Sequence, residues 1–263
     1  MPWDLVTLVF IIGLVWGSFL NVCIHRIPLE ENIVFPNSRC PACKAAIRWH
    51  DNIPLFGWLL LGGRCRDCRG RISPLYPAVE LLTALLTLTT VLRFGLTPTG
   101  IALTVLGYAL IVLTAIDFEH YILPDLITLP GVAIGLLLSF TPWFSPPMAT
   151  WQNALWGAGA GGGGLWLFAW LFRKISGKDG MGLGDIKLTA MLGAWLGWQA
   201  LPFTIFGSAV LGSVAGIGWI LLSGRDRSLP IPFGPYLAVA AWAYLYVGPA
   251  VYAWYLGRLT MSF

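Results

Sequence analysis

Residues 99–117 read TGIALTVLGYALIVLTAID, a run that carries no charge until its final aspartate. As a helix rising 1.5 Å per residue, a stretch of that length crosses a hydrocarbon layer about 30 Å thick. Comparable apolar runs, broken by Pro, Gly and charge, fall at about 5–24, 76–92, 126–141, 152–172, 186–201, 203–222 and 235–257. With the first they predict an all-α polytopic membrane protein of about eight transmembrane helices. The composition agrees: 57% of the 263 residues are hydrophobic and 11% charged, with a mean hydropathy of +0.75. Soluble domains carry roughly 25% charge. A secreted disulfide scaffold, a nucleic-acid binder and a soluble enzyme with one membrane tail are thereby excluded. The period-2 alternation of an outer-membrane barrel is also missing. The run at 5–24 has no basic segment before it, only Asp4, and reads as an uncleaved anchor rather than a signal peptide.

Charge sets the expected orientation. With the N-terminus outside, 14 of the 16 Lys and Arg fall in inside connections, leaving only Arg93 and Arg258 outside. Eight of them lie between residues 25 and 74, the one long charged stretch. The predicted organisation is therefore a first transmembrane helix (1–24), a cytoplasmic domain (25–74) and a seven-helix membrane domain (75–263). The chain's net charge of +4 resides in that cytoplasmic segment, where attraction to an anionic inner leaflet accounts for it.

Cys40-Pro-Ala-Cys43 and Cys65-Arg-Asp-Cys68 are two CxxC knuckles at a spacing that presents four sulfurs to one Zn²⁺. A 50-residue insert poor in aliphatic residues gains from such a metal the stability that its small core lacks. A pair of disulfides or a redox CxxC is disfavoured in a reducing cytoplasm. Cys23 reads as a packing residue, and His25 and His50 have no partner at ligand spacing.

Acidic residues near a bilayer are costly and mark function by default. Asp117 closes the third run and Asp185, within Gly182-Leu183-Gly184-Asp185, opens the sixth, so the predicted topology brings both to the cytoplasmic face. Two carboxylates sharing a proton suffice to activate a water against a peptide carbonyl. Gly182 and Gly184 would let an extended peptide approach closely. Helix direction points to Asp117, at a C-terminal helix end, as the holder of the shared proton, and to Asp185, at an N-terminal end, as the base. Asp125 follows Pro124 and precedes an apolar run, where an N-cap is expected. For Glu80, pairing with a basic residue and chemistry both stay open. The run GAGAGGGG at 157–164 lacks the strand a dinucleotide fingerprint needs and reads as close helix packing, as do Ser208, Gly212 and Gly216.

Taken together, Gly17–Val22, His25–Pro28, Arg39–Cys43, Asp51–Pro54, Gly63–Cys68, Tyr76–Glu80, Asp117–Asp125, Gly182–Lys187 and Pro232–Pro235 resemble the type IV prepilin peptidases. These leader peptidase/N-methyltransferases are GxGD-type intramembrane aspartyl proteases that serve type IV pili and type II secretion. The resemblance implies a multi-pass protein of the inner membrane with a periplasmic N-terminus. It also implies a catalytic pair at Asp117 and Asp185, and prepilin or pseudopilin substrates cut at the cytoplasmic face. The new N-terminal amine would then be methylated from S-adenosylmethionine, with Gly63 at a position associated with methyl transfer. Three rivals remain at this stage: a proton-coupled transporter using paired aspartates, a thiol-redox membrane protein, and a zinc-bearing assembly factor without catalysis.

Overall fold

The computed structural model describes residues 2–35, 37–144, 146–178, 180–223 and 232–260. Arg225 and Arg227, counted above among the inside charges, lie outside the described residues. Ten α-helices are formed: α1 (Trp3–Arg26), α2 (Phe56–Leu60), α3 (Leu75–Phe94), α4 (Pro98–His120), α5 (Asp125–Ser139), α6 (Trp151–Ala158), α7 (Leu165–Ser176), α8 (Leu183–Leu196), α9 (Ala200–Ser223) and α10 (Gly234–Thr260). A π-helical segment, Gly159–Gly164, joins α6 to α7 in one continuous rod. No strand occurs among the described residues, only two isolated bridges.

Each of the eight apolar runs is helical, but they differ in reach. Five helices, α1, α3, α4, α9 and α10, are long and apolar enough to cross a membrane. With 15 and 14 residues, α5 and α8 extend only about 21–22 Å. Hydropathy registers where apolar residues cluster, not where Pro124, Gly182 and Gly197 open and close the helix.

The chain divides into two compact units, residues 1–116 and 117–263, with the division falling inside α4. In the first unit α1 lies along α3. A Cβ on Gly13 would come within 2.5 Å of the Ala84 backbone, and one on Gly17 within 2.6 Å of the Glu80 backbone. Two glycines four residues apart thus let the backbones meet, the small-residue packing that replaces hydrophobic drive between helices in lipid. Asn21 anchors the cytoplasmic end of this pair by donating to the Tyr76 carbonyl at 3.0 Å.

In the second unit α8 is the buried centre, with Leu188, Leu192, Ala194 and Trp195 all enclosed. Glycine seams hold it on two sides. Gly131 and Gly135 of α5 receive Met191 and Trp195, where added Cβ atoms would lie 2.5 Å from each side chain. The Trp195 indole donates to the Gly131 carbonyl at 2.8 Å. On another side Gly157 and Gly161 of the α6–π–α7 rod meet the Gly193 and Thr189 backbones. The glycine run is therefore helix packing, as its sequence suggested.

Candidate active site and cysteine cluster

The seams fix where α8 begins, and so where Asp185 stands. Gly182, extended at φ −70° and ψ 142°, precedes the helix, and Asp185 lies in its first turn. The Gly182 amide donates back to the Asp185 carboxylate, one half of a capping box that fixes the carboxylate's direction. A Cβ on Gly182 would stand 3.3 Å from Asp185 Oδ2, and one on Gly184 would stand 3.0 Å from Leu123 Cβ.

Asp117 occupies the last full turn of α4 and is 5% exposed. The chain leaves the helix through Tyr121, whose φ of 56° is left-handed and whose amide returns to the Asp117 carbonyl at 3.0 Å. Its carboxylate Oδ2 accepts the amide of Gly234, the first residue of α10, at 3.1 Å. A Cβ on Gly234 would intrude to 2.7 Å from that oxygen. Leu123 borders Gly184 on one side and Gly234 on the other. Across this small enclosure Asp117 acts electrostatically on Asp185. The two sequence-predicted acids are therefore brought together, walled by three glycines that leave their oxygens reachable.

Gly234 was quoted in the sequence only as part of Pro232-Phe233-Gly234-Pro235. The signal was present, since Pro just inside a helix start flanked by Gly marks an N-terminus. Its consequence for the dyad is direct. The N-terminal pole of α10 faces Asp117 while that of α8 faces Asp185, so the direction of α4 counts only one of the two helix ends acting on Asp117.

Two further acids take positions the sequence left open or misread. Asp125 is the first residue of α5 but makes no side-chain cap. Instead both its oxygens accept from Lys187 Nζ, at 2.6 and 2.8 Å. The capping assignment is thus corrected: Lys187, two residues after Asp185, reaches across to α5 and offers a full charge where an amide offers a partial one. Glu80 is buried in α3 and takes no basic partner. Its Oε2 accepts the amide of Leu55 at 2.8 Å, holding that residue at a left-handed φ of 61°.

The four cysteines Cys40, Cys43, Cys65 and Cys68 converge, their sulfurs all lying within 4.8 Å of one another. None is bonded to another. The Cys40 and Cys68 sulfurs are 3.8 Å apart, and a tetrahedron with Zn–S bonds near 2.3 Å has edges of about 3.8 Å. Both knuckles are built alike. Cys40 and Cys65 donate their amides to Ala45 and Gly70, and the residues after the second cysteines, Lys44 and Arg69, return to Cys40 and Cys65. Those two residues are left-handed at φ 60° and 59°. The Cys43 backbone amide draws the Cys40 thiol down to about 7, so a thiolate is at hand for a metal. The donor set fits zinc. Cys23 is buried away from them, and exposed His50 packs edge-on to Trp49.

Arg66, inside the second knuckle, donates from Nε to Asp51 Oδ2 at 2.7 Å and from its terminal nitrogen to Oδ1. This fork holds the Asp51 carboxyl below the usual carboxylate range. Gly63, just before the knuckle, has a φ of +67°, and a Cβ there would press to 2.9 Å on the Trp58 ring. The Trp58 indole in turn donates to Ile72 at 3.2 Å, closing the loop over the knuckle's base.

Comparison with known proteins agrees with this arrangement. Residues 11–94 match the model of the bacterial peptidase A24 N-terminal domain, and residues 104–217 match that of the type IV leader peptidase family. Among curated proteins, the prepilin leader peptidase/N-methyltransferase of Aeromonas salmonicida strain A449 is 43% identical, over 98% of this chain and 96% of its own. The protein of that name from Pseudomonas aeruginosa is 41% identical over 97% and 94%. That from Xanthomonas campestris pv. campestris is 41% identical over 90% and 89%. No solved structure gives a significant match.

Proposed function

Because the chain belongs to the type IV leader peptidase family, we propose that it removes the leader peptide from prepilins and pseudopilins and methylates the amine so exposed. The observation that carries the reading is the meeting of Asp117 and Asp185 between Gly182, Gly184 and Gly234. In hydrolysis one carboxylate takes a proton from water as its oxygen attacks the scissile carbonyl carbon, while the protonated partner gives its proton to the carbonyl oxygen. The resulting diol collapses as the C–N bond breaks and the leaving amine takes back a proton from the dyad. Three glycines leave room for an extended peptide at that point.

Methylation belongs to residues of the other unit in this reading. S-adenosylmethionine supplies an electrophilic methyl group. Gly63 contributes a backbone geometry that only glycine adopts without strain while it seats Trp58. Zinc bound by Cys40, Cys43, Cys65 and Cys68 holds the 25–74 domain together. The domain faces the cytoplasm from an inner-membrane protein whose N-terminus is periplasmic, and the seven helices of 75–263 carry the peptidase. A transporter has no counterpart among the relatives, and paired acids at helix ends fit a peptide-cleaving site better than a midplane transport site.

Incubation of purified protein with a prepilin and a labelled methyl donor tests both activities. Loss of the leader followed by label on the mature N-terminus is expected. An intact prepilin after prolonged incubation would overturn the peptidase assignment.

A further inference from the structure

A cleft of about 400 Å³ opens between α7 and the start of α8. Trp166 and Trp170, one helical turn apart, form one wall, with Ala169 beside them; Gly182, Leu183 and Ile186 form the other. The Lys174 ammonium sits 5.0 Å over the Trp170 ring and braces that wall. Gly182 is the junction with the dyad, because the residue that lines the cleft also donates its amide to Asp185. A peptide whose scissile carbonyl lies at Asp185 therefore has a neighbouring side chain at the cleft mouth.

Size decides what enters. A helix 10–12 Å across occupies roughly 400–600 Å³ per turn, so the cleft takes one large side chain with its local backbone and not a helix. Its walls are aromatic and aliphatic, which selects an apolar occupant. We propose that this cleft is the specificity pocket of the peptidase, seating a large apolar or aromatic residue that directly flanks the cleaved bond and holding the substrate unwound there. The inference rests on the peptidase reading of Asp117 and Asp185.

The test uses full-length protein in detergent and prepilin variants carrying Ala, Leu or Phe at each of the two residues flanking the bond. Wild type should prefer Phe over Ala at one of those positions by tenfold or more in kcat/KM, the discrimination an apolar pocket provides. Ala169→Phe, which fills the cleft, should lower that ratio at least tenfold at that position and leave the ratio at the other unchanged. Trp170→Ala should lower it too, and Trp170→Phe should restore most of it. An unchanged ratio with a uniformly lower rate would mean that a lipid chain or fold damage explains the effect, and would overturn the pocket. So would a wild type indifferent to both positions. If wild type cleaves no prepilin at all, the peptidase reading itself falls and takes the pocket with it.

Discussion

At Gly234 the backbone stands so close to Asp117 that a methyl group has no room, since its carbon would lie 2.7 Å from the carboxylate oxygen. Gly234→Ala should therefore lower leader cleavage by about 100-fold or more, because misplacing a catalytic group by an ångström costs that much. The helix itself gains from alanine, by up to ~1 kcal/mol. Cleavage rate measured beside thermal stability separates the two effects: the rate should collapse while stability holds. Asp117→Asn and Asp185→Asn should each abolish cleavage with protein still in the membrane, since neither acid can supply both proton transfers. Asp125→Asn should retain activity. Its pair with Lys187 is more than half exposed on the Asp125 side, and exposed ion pairs contribute only ~0–1 kcal/mol. A dead Asp125→Asn enzyme beside an active Asp117→Asn one would exchange their roles. The two aspartates were legible because charge is expensive in an apolar sequence, whatever surrounds it. Gly234 was not, since its partner lies 117 positions away and glycine is common throughout this chain. Asp125 was misread because a cap and an ion pair look alike until Lys187 is placed in space.

At the scale of elements, the knuckles are small enough that metal and fold stand or fall together. One zinc per chain is expected by elemental analysis, and Cys40→Ser combined with Cys65→Ser should remove it along with protease resistance of residues 25–74. Asp51 adds a pH signature. Its folded value is depressed by Arg66, so its contribution is fully present above the ordinary carboxylate range near 3.9. That contribution is lost as pH falls through the depressed folded value. Asp51→Asn should thus be less stable than wild type at neutral pH, with the two converging in strong acid, as followed by Trp58 fluorescence or limited proteolysis. The knuckles could be read from spacing because metal geometry is local. The short reach of α5 and α8 could not, because their ends depend on the tertiary seams of Gly131, Gly135, Gly157 and Gly193.

For the whole molecule, the counted charges predict orientation, and orientation can be probed in intact cells. A cysteine placed at Leu96, exposed in the turn after α3, should react with a membrane-impermeant thiol reagent. One placed at Lys178, after α7, should react only once the cells are opened. The opposite pattern would invert the topology and put the dyad on the wrong side for substrates made inside the cell. Most of the architecture was readable because lipid imposes one rule, a continuous apolar helix, at every crossing. Where the chain serves chemistry instead, that rule relaxes and lengths shorten.

The wide turn at Gly159–Gly164 has a meaning in angular phase. A π segment holds an extra residue relative to the α-helix around it, and each residue of an α-helix advances about 100° around the axis. The direction in which Trp166 and Trp170 face is therefore set by how many residues the glycine run contains, not by α7 itself. A single-residue deletion there acts as a rotation rather than a shortening. It would swing both indoles by about 100°, out of the cleft and toward lipid, while Gly157 upstream kept its seat on Gly193.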